Sequence, residues 1–100
     1  MEGEDMKTGT TTTGFAFQFD ERNADDMRMV ELIVMSDNET ASEFQKLAAA
    51  SKILEMLLGK EQKAALYDHI GQSNDGRVPI AELMKALNEI MNAGGETLKN

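Results

Sequence analysis

The stretch of this sequence whose residue types could hold an ion runs from residue 71 to residue 82. It reads GQSNDGRVPIAE and has the length of a calcium-binding EF-hand loop. Asp75 and Glu82 fall where such loops carry oxygen ligands, and Gly76 falls at the sharp turn. The first ligand position holds Gly71, however, so the leading carboxylate is missing. The pattern therefore favours a plain turn between two helices, and we predict no metal site and no cofactor.

Other residues that could do acid–base chemistry are isolated from one another. His69 is the only histidine and there is no cysteine, so the usual zinc and nucleophile–base spacings cannot be built. Asp25 and Asp26 are adjacent, which points them in different directions on a helix and suits a helix N-terminus better than shared proton transfer. No phosphate-binding glycine loop or nucleophile elbow occurs. We therefore predict a binding protein without catalytic residues.

The elements around these residues are predicted to be mostly helical. Hydrophobic residues make up 41% of the 100 residues but only five are aromatic, so the core must be aliphatic. This composition predicts an all-α fold, a small four-helix domain arranged as a bundle or as two helical hairpins. We expect helices over about residues 24–35, from about 41 to Leu58, over about 60–70, and between Pro79 and Ala93.

The helix boundaries are predicted from capping residues. Asn23 is the expected N-cap of the first helix, and Thr40 with Glu43 matches a capping box for the second. Gly59 is expected to end the second helix in a left-handed conformation. Phe44, Leu47, Leu54 and Leu58 would form the main apolar stripe of that helix.

The N-terminal part has a different pattern. Residues 1–13 are polar and rich in Thr and Gly, which predicts a disordered tail. Phe15, Phe17 and Phe19 alternate with other residues, which predicts a short strand with one aromatic face. Such a strand must pair with another segment, pair with a partner, or lay that face on the helices. A single helical domain is expected over residues 14–95, with a frayed C-terminus at 96–100.

Eight methionines are many for a chain of this size. Methionine at helical spacing is more often part of a core, but it also serves adaptable binding grooves. The hypothesis of a groove takes its residues from the first and fourth helices. The candidate partner-binding residues are Met27, Val30, Ile33, Val34, Met84, Leu87 and Met91.

The net charge of −8 is concentrated in one region. Residues 20–40 contain seven acidic residues and only two basic ones. This acidity disfavours nucleic-acid binding and otherwise favours solubility. The most apolar stretch, residues 29–35, is far shorter than the roughly 20 residues needed to span a membrane, so no membrane association is expected. The absence of cysteine and of a signal-peptide pattern predicts a cytoplasmic protein.

Three short blocks of the sequence resemble a known family. They are Leu57-Leu58-Gly59-Lys60-Glu61-Gln62, Leu66-Tyr67-Asp68-His69 and Asp75-Gly76-Arg77-Val78-Pro79. Together with the Phe-rich strand ending at Asp20 and with Asp25-Asp26-Met27, they resemble the tail assembly chaperones of long-tailed, siphovirus-like bacteriophages. The resemblance covers about residues 14–92 and does not include the Thr-rich start.

The resemblance implies a partner and a location. Such chaperones are made in the host cytoplasm from a phage or prophage genome, coat the tape measure protein and keep it soluble during tail assembly. The family often makes a longer product by ribosomal frameshifting, whose extension recruits the major tail tube protein. Residues 98–100 are compatible with an A-rich slippery codon run. Weak self-association to a homo-oligomer would suit a coat.

Two other functions are compatible with the sequence. One is a degenerate EF-hand-like, calcium-responsive helical module, and the other is a bacterial helical adaptor protein with an unrelated partner.

Overall fold

The computed structural model describes residues 6–93 of the chain. Two strands, a short 3-10 helix and four α-helices follow one another: β1 Met6–Thr10, β2 Ala16–Asp20, the 3-10 helix Glu21–Ala24, α1 Met27–Asp37, α2 Glu43–Leu58, α3 Lys60–Gln72 and α4 Ile80–Ala93. The predicted mostly helical fold with four helices is confirmed. Among the described residues, no helix is both long enough and apolar enough to cross a membrane.

The core is centred on α2 and is mainly aliphatic, as predicted, but it also contains three phenylalanines, Phe15, Phe17 and Phe19. Six α2 residues are buried: Ala49, Ala50, Ile53, Leu54, Leu57 and Leu58. Leu66 and Ile70 of α3 and Leu87 and Ile90 of α4 are buried in the same cluster, as is Met29 of α1. Full burial of one such side chain stabilises the fold by about 1.5–3 kcal/mol before entropy is subtracted. Helix α2 is therefore the element on which the other helices and the sheet assemble.

The prediction of a disordered tail over residues 1–13 is wrong for Met6–Thr10, which form β1 and pair antiparallel with β2. Pairing supplies the order that the polar sequence of β1 could not supply by itself. The two strands are joined by a tight turn in which Thr11 N–H donates to Phe15 O and Gly14 N–H donates to Thr11 O, both at 2.9 Å. Gly14 has a φ of 100°, which favours glycine. Residues 1–5 and 94–100 lie outside the described residues.

The predicted aromatic face of the strand is confirmed, because Phe15, Phe17 and Phe19 are all buried. The rings of Phe17 and Phe19 are stacked, with centroids 6.3 Å apart. Of the arrangements open to this strand, two occur together: it pairs with β1 and it lays its aromatic face on the helical core.

Helix α1 begins three residues later than predicted, at Met27, and its N-cap is Asp26 rather than Asn23. Asp20 caps the 3-10 helix first, with its carboxylate accepting Arg22 N–H at 2.9 Å. Asn23 lies in that 3-10 helix and donates its side-chain amide to Leu57 O at 3.0 Å. The 3-10 helix is therefore joined to the end of α2 by this hydrogen bond.

The N-terminus of α2 also differs from the prediction. The capping box is formed by Ser42 and Gln45, not by Thr40 and Glu43. Thr40 is held in the preceding turn, where its hydroxyl donates to Asn38 Oδ1 at 2.8 Å, so the helix begins two residues later. The predicted end at Leu58 is confirmed. Gly59 has a positive φ of 86°, but its ψ of 161° is extended, so it does not adopt the left-handed helical conformation expected of it.

The other two helices agree with the sequence more closely. Helix α3 continues to Gln72, two residues beyond the predicted end. Helix α4 begins at Ile80, with Pro79 O accepting Leu83 N–H at 3.1 Å, and ends at Ala93 as predicted.

The strands β1 and β2 form a β-hairpin, and polar contacts join its turn to two helices. Thr12 donates its N–H and its hydroxyl to the Glu89 carboxylate of α4, at 3.0 and 2.8 Å. Thr13 O and Thr13 Oγ1 lie 3.1 and 3.3 Å from Nε2 of His69 on α3. The tip therefore depends on side chains that are distant in the sequence.

Replacing Gly9 by Ala should destabilise the protein. A Cβ at Gly9 would lie 2.7 Å from Phe17 Cζ, and Phe17 is buried and stacked on Phe19, so the ring cannot move away freely. We expect a loss of about 1–3 kcal/mol in the free energy of unfolding, measured by urea denaturation. Thr8→Ala, on the exposed face of the same strand, is the matched control. It should change the free energy of unfolding by about 0.5 kcal/mol or less. Equal effects of the two substitutions would contradict this packing.

The Glu89 tie predicts an acid dependence of stability. The N–H and then the hydroxyl of Thr12 hold the pKa of Glu89 below its ordinary value of 4.5. Because the folded state lowers this pKa, its stabilisation is present above pH 4.5 and is lost as the pH falls through the folded-state pKa. Glu89→Gln should therefore flatten the fall in melting temperature below pH 4.5. Glu61→Gln, on the exposed start of α3, is the control, and an identical acid profile for both variants would contradict the prediction.

Candidate protein-binding surface

The orientation of α1 differs from the predicted apolar stripe. Met29 is the buried residue of this helix, and Leu32 and Ile33 pack against the core beside it. Of the four candidate residues predicted on this helix, only Ile33 contacts the core. The sequence of α1 is apolar on most of its circumference, so periodicity could not select the face that packs on α2.

Three of the predicted residues therefore form an exposed apolar face. Met27, Val30 and Val34 are 67%, 44% and 62% exposed. They are spaced i, i+3 and i+7, so they lie on one side of the helix. We refer to Met27, Val30 and Val34 as the α1 outer face. Single exposed apolar residues are common, but an exposed row at helical spacing is typical of a contact surface.

The candidate residues of α4 are divided between core and surface. Leu87 is buried, and Met91 is partly buried against the core. Met84 is partly exposed and lies one turn from Ile80, which is 58% exposed. We refer to Ile80 and Met84 as the α4 patch. Leu87 stabilises the domain, so only Met84 of the three predicted residues presents much of its side chain to a partner.

The two surfaces belong to helices with different neighbours. Helix α1 packs mainly against α2 and the 3-10 helix, whereas α4 packs against α2, α3 and β1. The α1 outer face and the α4 patch are therefore separate surfaces rather than two walls formed by one helix pair. Partner binding through either surface stays a prediction.

One exposed apolar residue was assigned to the wrong side by the sequence. Phe44 was expected in the main stripe of α2, but it is 85% exposed, whereas Leu54 and Leu58 of that stripe are buried as expected. Phe44 follows the Ser42 cap by two residues and lies in the first turn of α2. In the sequence, only its position near the N-terminus of α2, away from the half of the helix that is buried, distinguishes Phe44 from the other residues of the stripe.

A cavity of about 820 Å³ adjoins α1 on the side that faces α2. Leu32 and Met35 of α1 and Met56 of α2 supply its apolar lining. Charged residues of both signs surround it: Arg22, Asp26, Arg28, Glu31, Lys52 and Glu55. This concave surface extends the apolar area of the hairpin formed by α1 and α2.

The charges on α1 are mainly negative. Asp26 is neutralised by Arg28, whose guanidinium lies 2.8 Å away and whose side-chain and backbone hydrogen bonds hold the pKa of Asp26 below its ordinary value. Glu31 and Asp37 make no ion pair with any residue in the range 6–93. The outer part of α1 therefore combines exposed apolar side chains with two carboxylates that form no ion pair in this range.

The loop that resembles an EF-hand is a tight turn stabilised by its own backbone. Gly76 N–H and Asn74 N–H both donate to Gly71 O, at 2.8 and 3.0 Å, and the side-chain amide of Asn74 donates to Ile70 O at 2.8 Å. Asp75 and Gly76 both have positive φ, 58° and 81°. Between Met6 and Ala93, no group of three His, Cys, Asp or Glu side chains is placed to hold a metal ion.

Comparison with known protein families, curated proteins and solved structures finds no match to this chain. The choice of a function therefore depends on the α1 outer face, the α4 patch and the charges around them. Apolar side chains at helical spacing on a folded domain favour contact with a partner helix.

Calcium should leave the stability of the protein unchanged. The turn at residues 71–76 is closed by backbone hydrogen bonds, and Gly71 occupies the place of the leading carboxylate. We expect no shift in melting temperature when calcium is added up to about 5 mM, beyond that caused by magnesium at the same concentration. A rise specific to calcium would support the calcium-responsive function instead.

Proposed function

We propose that this protein is a tail assembly chaperone of a long-tailed bacteriophage or prophage, which binds and solubilises the tape measure protein in the host cytoplasm. The observation that carries the proposal is the α1 outer face, a row of large apolar side chains that the folded domain leaves uncovered. The resemblance of residues 14–92 to this family supplies the identity of the client.

The proposed mechanism is the shielding of apolar stripes. A tape measure protein is a long, largely helical chain that would aggregate through its exposed apolar stripes. A helix of 11 residues such as α1 is about 16 Å long, so it can cover about three turns of a client helix. Packing of two helices uses this geometry, in which apolar side chains of one helix fit between those of the other. Many copies bound along the client would form a soluble coat.

The blocks that resemble the family have structural roles in this domain. The block at residues 57–62 forms the junction of α2 and α3, where the Gln62 side chain bonds to both backbone groups of Gln18, at 3.0 and 2.6 Å. Leu66 is fully buried in α3, and residues 75–79 form the turn before α4. These blocks therefore shape the domain that presents the α1 outer face, and the client-binding residues are a separate set.

The net charge supports the same function. At −8, the domain gives a coated client a negative surface, which favours solubility. The same charge repels other copies, so self-association of the free protein should be weak. A frameshifted longer product that recruits the major tail tube protein is part of the proposal by resemblance.

Co-expression with the tape measure protein tests the function. The protein should increase the soluble fraction of the client severalfold over expression of the client alone, measured by sedimentation of the lysate. Val30→Gln with Val34→Gln should abolish most of this gain, because two anchors are lost, with binding weakened about tenfold. Gln forms helices at least as readily as Val, so α1 should remain folded.

The matched control replaces Ala64 and Ala65, two exposed α3 residues, by Gln. This variant should solubilise the client as well as the wild-type protein. Equal activity of all three proteins would reject the α1 outer face as the client-binding surface. Failure of the wild-type protein to solubilise the client would reject the chaperone function and favour an adaptor with another partner.

A further inference from the structure

We infer that the α1 outer face selects a cationic amphipathic helix, in which Lys or Arg residues flank an apolar stripe. The inference rests on the proposed function and specifies which segments of the client are bound. It depends on where two acidic residues, Glu31 and Asp37, lie relative to Met27, Val30 and Val34.

The two acids lie on opposite flanks of the apolar row. At about 100° per residue, Glu31 lies about 40° to one side of Met27, and Asp37 lies about 20° beyond Val30 on the other side. Glu31 is one turn from both Met27 and Val34, and Asp37 is one turn from Val34. A helix packed along the α1 outer face would therefore have a carboxylate on each side of its contact stripe.

These carboxylates are available to a partner. Glu31 and Asp37 are both exposed, and neither forms an ion pair within the part of the chain that the structure describes. The single basic residue of α1, Arg28, is held by Asp26 at 2.8 Å. Each flank of the outer face thus carries a carboxylate that no ion pair holds in residues 6–93.

Helix stability does not account for the position of Asp37. It is the last residue of α1, where the negative end of the helix dipole makes a carboxylate unfavourable. Removal of this charge should leave α1 as stable as before or slightly more stable. A binding defect caused by its removal can therefore be separated from a folding defect.

Charge also decides between the possible occupants. A second copy would place the same acids opposite each other, and like charges at an interface cost affinity. Anionic lipid and nucleic acid would be repelled for the same reason. A straight row of anchors about two turns long, with acidic flanks, fits a helix with basic flanks.

Binding of designed helical peptides tests the inference on the full-length protein. The probes are peptides of about 18 residues with one leucine stripe, flanked by Lys in one peptide, by Gln in a second and by Glu in a third. At about 50 mM NaCl we expect affinity to fall in the order Lys, Gln, Glu, and at about 500 mM the differences should shrink because salt screens the charges. Fluorescence anisotropy gives the dissociation constants.

Two variants with equal net charge locate the effect. Glu31→Gln with Asp37→Asn should weaken binding of the Lys peptide about fivefold at low salt and leave the Gln peptide unchanged. Glu61→Gln with Asp68→Asn, both on the exposed side of α3, changes the net charge equally. This variant should lose much less affinity for the Lys peptide. Thermal melting checks that both variants are folded.

Equal losses in the two variants would overturn the inference, because the preference would then reflect net charge rather than the α1 outer face. Equal affinity for the three peptides would overturn it as well. The chaperone function is tested separately by client solubility. If the protein solubilises the tape measure protein but shows no charge preference, the proposed function stands and this inference is wrong.

Discussion

The packing of the other elements onto α2 is the constraint on which the rest of the structure depends. In the second half of this helix, buried residues recur in pairs every four residues, which covers about half of its circumference. The helix contacts the other three helices, the 3-10 helix and β2. Ala49 and Ala50 are small enough for a neighbour to approach closely, and Leu54 has no exposed surface. A domain of this size has few such contacts to spare, since net stability is a small difference between large terms. The position of α2 therefore determines which side of each neighbour is left for solvent.

Helix α1 shows how this packing leaves apolar side chains exposed. It offers apolar side chains around most of its circumference, but contact with α2 can bury only one side. Met29 takes the buried position, and Met27, Val30 and Val34 remain outside. The exposed row is thus a direct result of an apolar helix whose packing partners, α2 and the 3-10 helix, cover only part of its circumference. The two carboxylates on its flanks give this surface a charge as well as a shape.

The β-hairpin formed by β1 and β2 has a complementary role, since it packs on α2 and α4. Its aromatic face covers α2, and its tip is held by Glu89 and His69 from two different helices. Gly9 is required because the Phe17 ring lies against it across the strand pair. The sheet covers part of the core. It does not cover the outer side of α1, which remains exposed. The residues that form the core and the exposed residues proposed to bind a partner are therefore different sets in this small domain.

What could be predicted from the sequence follows from local chemistry. The aliphatic composition, the break at Gly59 and the alternation of Phe15, Phe17 and Phe19 determined the helical class, the end of α2 and the aromatic strand, because each depends on residues close together in the chain. Asn23 and Thr40 were misassigned as caps because neighbouring Asp26 and Ser42 are equally good caps, and only the competing turns select between them.

The remaining features were decided by tertiary structure. A polar segment such as Met6–Thr10 becomes a strand only because β2 is there to pair with it. Whether Met27 or Met29 faces the core depends on the position of α2, which no local pattern encodes. The sequence by itself determined the number and order of the helices, their charge and their apolar content. Only the tertiary structure decided which apolar residues are covered, because burial is a property of the neighbours that a residue meets and not of the residue.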